Sequence, residues 1–357
     1  MRKKINNSKE EVAMKVAEMI RKQTISFRTC DIPAPDVDEL LIRTEYVGIC
    51  GSDIHLYQTA TCGGRDVTDP CVLGHEAAGV VVEVGRDVKD FKPGDRVAIE
   101  PQKPCMKCTF CKSGRYNLCP DVKFYASPPT MEGCFAEYIT HPAIFCYKLP
   151  ESVSTLEGAL IEPLSVGLHA VSQSGIQAGQ TAAVIGAGCI GLMVVLSLLA
   201  RGIKKVFVID VVQNRLELAQ ALGCYCTINS AETDAVEYLN RMLGGVDVVF
   251  EAAGRPQTIQ QAGLMVKRGG TVTLIGYPIE RQATLYINHL INNEITIKTA
   301  FRYCNTYPQA IEMLESGLPL KKLVSDIYPF DKLDDGLLRA MNCKNEVTKC
   351  VIRFCSN

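Results

Sequence analysis

Residues 181–191, TAAVIGAGCIG, decide the fold of the second half of the chain. An apolar run leads into Gly186, Gly188 and Gly191, whose spacing is G-x-G-x-x-G, and a second apolar run follows them. The next apolar segment, VFVID, ends at Asp210. The glycine spacing alone is a weak signal. A strand before it, a helix after it and an acid at the end of the next strand together predict a dinucleotide-binding βαβ unit.

Each glycine of this motif, and Asp210, has a separate task in the predicted dinucleotide site. Gly186 permits the tight turn, Gly188 lets the backbone approach the pyrophosphate, and Gly191 lets the helix pack against the strand. The helix N-terminus then faces the phosphates. Asp210 is predicted to accept hydrogen bonds from the adenosine ribose, which selects NAD because a 2′-phosphate would meet its negative charge. Arg215 either touches the adenosine end of the cofactor or is a surface charge.

The segments around the motif predict a doubly wound α/β fold. After Pro150, apolar runs that suit buried parallel strands alternate with helical runs, and the strand candidates are TAAVIG, KVFVID, VDVVFEAAG and TVTLIGY. The nineteen residues from Ala182 to Ala200 carry no charge and are long enough to cross a membrane. Three glycines in the first half of that stretch favour a strand, a turn and a helix instead.

The first ~150 residues contain short apolar segments and frequent glycine and proline turns, which predict a β-rich barrel or sandwich. The strand candidates are 40–46, 79–84 and 96–100. A helical stripe near the N-terminus also fits Val12, Val16, Met19 and Ile20. From about Phe301 the alternation of strands and helices is lost, and we expect the tail to return to the first part of the fold.

Composition and charge exclude some classes of function. The chain has 357 residues, of which 47% are hydrophobic and 22% charged, as in a soluble globular protein with two domains. The net charge is −1 without a basic block, so neither nucleic acid nor a membrane is an expected partner. The first residues, MRKKINNSKEEV, do not resemble a secretory signal, and this favours a cytoplasmic location.

Four of the 17 cysteines form a tight cluster. Cys105, Cys108, Cys111 and Cys119 read C-x2-C-x2-C-x7-C. Four thiolates complete the tetrahedral shell of one zinc ion and leave no position for water or substrate, so the predicted site is structural. Disulfide pairing is the alternative, but a long chain with an odd number of cysteines and no secretory signal favours metal. Most of the other cysteines are expected to be small buried hydrophobes.

Two loops flanked by glycines hold candidates for a second metal site. GICGSDIH contains Cys50, Ser52 and His55, and LGHEAAG contains His75 and Glu76. Cysteine, histidine and carboxylate ligands with one position open are typical of catalytic zinc. Spacing alone does not pair Cys50 with His75, because a lone cysteine is usually packed in a core and a lone histidine is usually a satisfied loop residue.

Taken in order, these motifs resemble the zinc-dependent medium-chain alcohol dehydrogenases. Segments similar to the polyol branch, the sorbitol and xylitol dehydrogenases, are GDRVAIEP, CKSGRYNLCPDVKFYASPP, HPAIFCYKLP, EGALIEPLSVGLHA and FRYCNTYP. The resemblance implies a GroES-like β-barrel catalytic domain, residues 1–155 completed by 301–357, and a Rossmann NAD-binding domain, residues 156–300. The implied fold class is α/β, with a doubly wound parallel sheet and a β-barrel.

The resemblance also assigns roles around a catalytic zinc. The residues that match its ligands are Cys50, His75 and Glu76. Glu162 matches a carboxylate near the metal that acts as a ligand, through water or on the substrate, and the choice between the two glutamates stays open with Glu76 placed first. Ser52 and His55 match a proton relay that carries the alcohol proton outward. The family implies two zinc ions per subunit, one catalytic and one structural, and NAD.

Further positions match substrate and cofactor contacts of the family. Arg302 and Tyr303 match residues that hydrogen-bond the polyol, and Phe124 would supply an apolar wall. Tyr57 could restore a hydroxyl that relatives carry one position earlier. The residues that match the nicotinamide side of the cofactor site are Ile190, Ile275, Gly276, Tyr277, Ala300, Phe301 and Arg302.

The implied activity is oxidation of a secondary hydroxyl of a polyol (sorbitol, xylitol or L-iditol) to a ketose, with hydride transfer to NAD+, as in L-iditol 2-dehydrogenase or D-xylulose reductase. Threonine 3-dehydrogenase and butanediol dehydrogenase share most of the zinc motifs and are the alternatives within the family. A non-catalytic NAD(H)-binding protein is the alternative from another class. The family implies a homo-oligomer, either a dimer or a tetramer.

Overall fold

The computed structural model describes residues 13–354 except 63–64, 68–69, 129–131, 279 and 281, so Val12 and Pro129 of the motifs above lie outside it. The strands are β1 (Ala13–Arg21), β2 (Thr24–Asp31), β3 (Glu39–Gly48), β4 (Thr61–Cys62), β5 (Arg65–Asp66), β6 (Cys71–Val72), β7 (Glu76–Val84), β8 (Arg96–Ile99), β9 (Gln102–Lys103), β10 (Lys123–Phe124), β11 (Tyr138–Pro142), β12 (Cys146–Lys148), β13 (Thr181–Ile185), β14 (Lys205–Asp210), β15 (Cys226–Asn229), β16 (Val246–Glu251), β17 (Val266–Leu274), β18 (Thr296–Thr299), β19 (Val324–Pro329) and β20 (Lys349–Arg353). The helices are α1 (Gly51–Thr59), α2 (Thr109–Lys112), α3 (Thr155–Ala159), α4 (Ile161–Ser174), α5 (Cys189–Ala200), α6 (Gln213–Ala221), α7 (Ala235–Leu243), α8 (Pro256–Met265), α9 (Ile287–Asn292), α10 (Tyr307–Glu315) and α11 (Leu333–Asn342).

A six-stranded parallel sheet forms the second half of the fold. Its order is β15-β14-β13-β16-β17-β18, which is the strand order of a Rossmann fold. The order reverses between β13 and β16, and ligands of such sheets bind outside the carboxyl ends of the strands at this crevice. The predicted doubly wound α/β fold is confirmed, and the glycine motif lies at the crevice because it directly follows β13.

The uncharged stretch from Ala182 to Ala200 is a buried strand, a turn and a buried helix. It contains most of β13 and all of α5, which pack in one apolar core. Both faces of the sheet are covered by helices, which explains why its strands are continuous apolar runs rather than alternating ones. Within the described part of the chain, no helix combines the length and apolar character that crossing a membrane requires.

A largely antiparallel sheet of seven strands organises the rest of the chain. Its order is β12-β8-β7-β3-β20-β19, and β11 also pairs with β3. The tail contributes β20, which lies antiparallel to β3, and β19, which lies parallel to β20. Side chains of the tail, including Phe330, Leu333 and Ile352, share one apolar core with Leu40 and Ile42 of β3. The tail therefore returns to the first part of the fold and shares its core.

The helical stripe predicted near the N-terminus is wrong. Residues Ala13–Arg21 form the strand β1, which pairs antiparallel with β2. Val16 and Met19 are buried as the stripe required, but Ile20 is 43% exposed. The hairpin partner decides the outcome, because pairing satisfies the backbone of β1 while its inward side chains enter the core. The other three strand candidates fall within β3, β7 and β8, apart from Glu100, which follows the end of β8 at Ile99.

Candidate active site

Three potential metal ligands meet where β3, α1 and β7 join. A sulfur, nitrogen or carboxylate oxygen atom of each of Cys50, His75 and Glu76 lies within 4.8 Å of the others. Cys50 caps the N-terminus of α1, and Glu76 begins β7 directly opposite Gly48 of β3. A Cβ atom at Gly48 would lie 2.0 Å from Oε2 of Glu76, so only glycine leaves room for this carboxylate. The pairing of β3 with β7 thus brings the loop of Cys50 next to the loop of His75 and Glu76, a proximity that sequence spacing alone did not predict.

Asp53 joins the two ligand loops. Its Oδ2 accepts a hydrogen bond from the backbone N–H of Cys50 at 2.9 Å, and its Oδ1 accepts one from the N–H of Gly74 at 2.9 Å. Oδ1 also lies 3.7 Å from Nδ1 of His75. Sequence reasoning gave Asp53 no role, although an acid at the third position of a helix behind a cysteine cap is a recognisable signal. The buried carboxylate fixes the relative position of Cys50 and His75.

Lys349 is a second residue that sequence reasoning missed. It begins β20, and its Nζ donates to Oε1 of Glu76 at 2.6 Å and to the carbonyl oxygen of Ile49 at 3.0 Å. Lys349 is 3% exposed and Glu76 is 1% exposed. Burial is the largest single influence on the pKa of Lys349 and lowers it, but the surrounding negative groups, Glu76 foremost, together outweigh burial and hold the pKa above its ordinary value. The lysine therefore stays charged beside the proposed ligand.

Glu162 lies near the cluster but is not one of its three members. It stands in the first turn of α4, is buried, and its Oε1 accepts a hydrogen bond from the hydroxyl of Tyr303 at 2.9 Å. Burial raises the pKa of Glu162 to about 7; His75 opposes this shift and Glu76 adds to it. The geometry therefore groups Glu76 with Cys50 and His75, and it leaves Glu162 in a buried position beside them.

Phe124 and Arg302 flank the cluster. The rings of Phe124 and His75 are 5.4 Å apart between centroids, and the guanidinium of Arg302 lies 4.1 Å above the Phe124 ring. This is a cation–π contact, which holds the arginine at the edge of an apolar wall. Ser52 and His55 are exposed on α1, where a hydroxyl and an imidazole can exchange protons with solvent.

Two predicted substrate contacts are buried instead. Tyr57 is 0% exposed, packs in the core of the first half, and donates its hydroxyl to Oδ1 of Asp334 at 2.6 Å. Tyr303 is also 0% exposed and donates to Glu162. Each hydroxyl is therefore already paired with a carboxylate, and the predicted contacts with substrate stay predictions. The physical reason is the same, since a buried hydroxyl needs a partner and a nearby carboxylate supplies one.

The three-residue cluster fits a catalytic metal by its donor set. A thiolate, an imidazole and a carboxylate are zinc ligands, and three protein ligands leave one position for water or substrate. The charges also balance: Cys50, Glu76 and Glu162 would contribute three negative charges when ionised, and a divalent cation with the Lys349 ammonium would neutralise them.

The four cysteines converge on a closed site. Sulfur atoms of Cys105, Cys108, Cys111 and Cys119 lie within 4.8 Å of one another and could bind a structural zinc. Sγ of Cys119 accepts from the N–H of Cys105 at 3.4 Å, and Sγ of Cys108 accepts from the N–H of Cys111 at 3.5 Å. Backbone N–H groups, that of Lys107 foremost, lower the pKa of Cys105 to about 7, whereas burial raises the pKa of Cys111. A cation is what would hold all four as thiolates.

The glycine motif leaves space for a dinucleotide. Gly186 has a φ of +95°, and a Cβ on Gly191 would lie 1.7 Å from the carbonyl oxygen of Gly186. A Cβ on Gly188, by contrast, would meet only Nη1 of Arg215, at 3.9 Å. Gly186 and Gly191 are thus required by the fold, while Gly188 opens the region in front of α5 to a ligand.

Asp210 braces this loop. Its Oδ2 accepts from the N–H of Ala187 at 2.6 Å, and its Oδ1 accepts from the N–H groups of Val211 and Val212 at 2.7 and 2.9 Å. Nη1 of Arg215 lies 3.9 Å from Oδ2. An ionised carboxylate has about four acceptor positions, so three N–H donors leave room for one more hydrogen bond. Arg215 is therefore part of the crevice rather than a distant surface charge.

The residues predicted at the nicotinamide side follow the ends of two strands or begin a helix. They are Ile190 in α5, Ile275, Gly276 and Tyr277 after β17, and Ala300, Phe301 and Arg302 after β18. Carboxyl ends of parallel strands lie on one edge of the sheet, the edge that also carries Gly186 and Asp210. The fold thus places all the predicted cofactor residues along one edge.

A nucleotide crevice beside an open metal-ligand cluster, with a closed cysteine site nearby, defines a metal-dependent oxidoreductase. Residues 36–151 match the model described as alcohol dehydrogenase GroES-like domain, and residues 189–316 match the zinc-binding dehydrogenase model. Sorbitol dehydrogenase of Bacillus subtilis (strain 168) is 43% identical over 342 residues, which are 95% of this chain and 97% of that protein. The chain belongs to the zinc-dependent medium-chain alcohol dehydrogenase family.

Solved structures agree with this assignment. The crystal structure of an oxidoreductase of unknown specificity from Escherichia coli has a TM-score of 0.93 and 39% identity, and the match covers 97% of this chain and 100% of that one. The structure of 2R,3R-butanediol dehydrogenase from Bacillus subtilis has a TM-score of 0.86 and 30% identity, with 95% and 99% covered.

Proposed function

We propose that the chain is an NAD-dependent zinc polyol dehydrogenase that transfers a hydride from a secondary hydroxyl to NAD+ and gives a ketose. The observation that carries the proposal is the open cluster of Cys50, His75 and Glu76. It lies beside an apolar wall, Phe124, and a fixed cation, Arg302. A polyol needs both an activating metal at one hydroxyl and polar groups for its other hydroxyls.

The chain's own residues have defined tasks in this reaction. Zinc bound at the cluster would lower the pKa of the substrate alcohol, and NAD+ would accept the hydride. Phe124 excludes water from one side of the cluster, and Arg302 donates hydrogen bonds to substrate hydroxyls. Ser52 and His55, both exposed on α1, pass the alcohol proton to solvent. Tyr303 orients Glu162 through its hydroxyl rather than contacting the substrate.

We propose the same division of the chain that the motifs predicted, with residues 1–155 and 301–357 forming the catalytic domain around a Rossmann domain of residues 156–300. The pairing of β20 with β3 and their shared core support the split origin of the catalytic domain. Limited proteolysis would test it. Cleavage should concentrate near residues 155 and 300, and cutting within β20 first would contradict the division.

The polyol reading is preferred over threonine or butanediol oxidation. The identity of 43% to a sorbitol dehydrogenase exceeds the 30% to a butanediol dehydrogenase. Steady-state kinetics with NAD+ over sorbitol, xylitol, L-iditol, galactitol, threonine and 2,3-butanediol would test the preference. The highest kcat/KM should belong to a C5 or C6 polyol. Turnover of threonine or butanediol without turnover of any polyol would reject the proposal.

Two cysteine variants would distinguish an enzyme from a non-catalytic NAD(H)-binding protein. Cys50→Ser should abolish turnover because it replaces a thiolate ligand, whereas Cys30→Ser, on β2 outside both cysteine sites, should retain turnover. Both variants should keep NADH binding. Equal turnover by the two variants would indicate that the cluster does no chemistry.

We also propose that the chain forms a homo-oligomer through β18, which is an edge strand of the six-stranded sheet among the described residues. Exposed apolar side chains lie on α9 and β18, namely Ile287, Ile291 and Ile297. A second copy would cover this edge and these side chains. Light scattering of wild type and Ile291→Lys tests this, with a smaller species expected for the variant. A cytoplasmic location is proposed as well, because the fifteen cysteines whose side chains the structure describes form no disulfide, as a reducing compartment allows.

A further inference from the structure

The loop after β18, residues 301–306, contains strained backbone conformations that need stabilising contacts from other segments. Arg302 and Asn305 both have left-handed conformations, with φ of 50° and 56°. Such a conformation costs a non-glycine residue of order 1 kcal/mol, more for arginine than for asparagine. Two strained residues within four positions therefore require contacts from outside the loop.

Most of those contacts come from the four-cysteine lobe, defined here as residues 105–119. Nδ2 of Asn117 donates to the carbonyl oxygen of Phe301 at 2.9 Å, and the Tyr116 hydroxyl accepts from the N–H of Asn305 at 2.7 Å. Nδ2 of Asn305 donates to the carbonyl oxygen of Gly114 at 2.8 Å. Three hydrogen bonds thus cross between segments that are more than 180 residues apart.

The lobe residues that make these bonds belong to the cysteine site itself. Tyr116 and Asn117 begin the short 3₁₀ turn Tyr116–Leu118, between Cys111 and Cys119. Tyr116 packs with Cys111, Cys119 and Phe145 in a small apolar cluster. The position of the turn is therefore set by the same four sulfur atoms that would hold a structural zinc.

The loop carries residues on the substrate side of the proposed active site and a residue on its coenzyme side. Arg302 stacks on Phe124 beside His75, and Tyr303 donates to Glu162. Phe301 follows the carboxyl end of β18 on the nicotinamide side of the crevice. A shift of the loop would move all three residues together.

We propose that Asn117 and Asn305 are positioning residues through which the four-cysteine lobe holds the loop 301–306, so that the closed metal site sets the affinity of the active site for polyol and coenzyme. This inference rests on the proposed function. It gives the lobe a task beyond folding, since its hydrogen bonds end on the backbone that presents Phe301 and Arg302.

Three Asn→Asp variants test the proposal, because each keeps the side-chain shape and adds the same charge. Asn117→Asp and Asn305→Asp place a carboxylate against the carbonyl oxygens of Phe301 and Gly114, and aspartate tolerates the left-handed backbone of position 305. Asn240→Asp is the control, since Nδ2 of Asn240 donates to the carbonyl oxygen of Leu264, at 3.0 Å, on the far helices α7 and α8.

The readouts are the Kd of NADH by fluorescence, KM and kcat for the polyol, zinc content and thermal unfolding. Asn117→Asp should raise the Kd of NADH and the KM about tenfold, the factor that one hydrogen bond supports, with kcat changed less than about threefold and two zinc ions retained. Asn305→Asp should act in the same direction, and Asn240→Asp should match wild type. Lowered thermal stability with unchanged Kd and KM would overturn the proposal.

A double-mutant cycle with Cys108→Ser adds a second test. If the lobe acts through Asn117, then Asn117→Asp should have little further effect on the Kd of NADH once Cys108 is replaced. Full additivity would overturn the proposal. If the wild-type protein binds NADH but oxidises no polyol, the proposed function is refuted. The role of the lobe would still be decided, because the Kd of NADH for the three Asn→Asp variants does not depend on polyol turnover.

Discussion

The Nζ atom of Lys349 lies 2.6 Å from Oε1 of Glu76, and both side chains are almost fully buried. The proposed metal ligand is therefore half of an internal ion pair whose other half comes from the last described strand. Buried pairs are costly to break, because removal of one partner leaves an uncompensated charge.

Replacing Lys349 should affect the metal-free protein most. Lys349→Met leaves the Glu76 carboxylate buried without a cation, which is expected to cost about 3–5 kcal/mol. Zinc should restore much of this loss, because the metal then neutralises Glu76. Urea unfolding with and without zinc would measure the difference. Lys332→Met, which breaks an exposed pair with Asp335, is the control. Equal losses in the metal-free and zinc-loaded forms would contradict this account.

Asp53→Asn should weaken the catalytic metal site without removing a ligand. The variant keeps the shape of the side chain but points an amide N–H at one of the two backbone N–H groups from which Asp53 now accepts hydrogen bonds. Loss of such a supporting group typically costs 10–100-fold in metal affinity or activity. Zinc content and kcat/KM measure the effect, and the exposed Asp87→Asn is the control. Full zinc occupancy with wild-type kcat/KM would show that Asp53 is dispensable.

Asp210→Asn should shift coenzyme preference toward NADP. The substitution removes the negative charge that opposes a 2′-phosphate and frees Arg215, whose Nη1 lies 3.9 Å from Asp210. The ratio of kcat/KM for NADP to that for NAD should rise about tenfold, which corresponds to about 1.4 kcal/mol. The double variant Asp210→Asn/Arg215→Ala should lose the gain. A gain that persists there would exclude Arg215 as its source.

His141 should make the fold sensitive to acid. Burial lowers the pKa of His141 to about 3 from an ordinary value of 6.5, and Nε2 lies 2.7 Å from the carbonyl oxygen of Glu100, to which it must donate. Between pH 6.5 and 3 the unfolded chain binds a proton that the folded chain does not, so stability rises with pH in this window. From pH 7 to pH 5 the loss from this group is about 2 kcal/mol.

His141→Gln tests this assignment, because glutamine keeps a donor for the Glu100 carbonyl and does not titrate. The free energy of unfolding should fall less steeply between pH 7 and pH 5 than in wild type. His289→Gln, at a half-buried position on α9, serves as the histidine control. An unchanged pH slope in His141→Gln would mean that other groups cause the acid sensitivity.

Local patterns predicted the parts of the molecule that local geometry decides. The glycine motif between a strand and a helix gave the Rossmann crevice, because turn and helix packing need only neighbouring residues. The cysteine spacing predicted a cluster whose sulfur atoms do converge. The pairing of Cys50 with His75 required the resemblance, since it depends on β3 and β7 lying side by side.

Contacts set by tertiary packing stayed hidden in the sequence. Lys349 is 273 residues from Glu76, and no spacing rule links them. Tyr57 follows a site motif closely enough to suggest a substrate contact, yet helix α1 turns it into the core toward Asp334. The N-terminal stripe fitted a helical period, and only the partner strand β2 made it a hairpin. In each case a distant segment decides the outcome.

The placement of Lys349 in β20 has a consequence for synthesis. Cys50, His75 and Glu76 leave the ribosome first, and the whole six-stranded sheet is made before the lysine that pairs with Glu76 appears. The growing chain thus carries the proposed ligand Glu76 without its internal cation until β20 is made. The ion pair with Glu76 can form only once β20 pairs with β3, so the buried centre depends on a strand that is made long after its other residues.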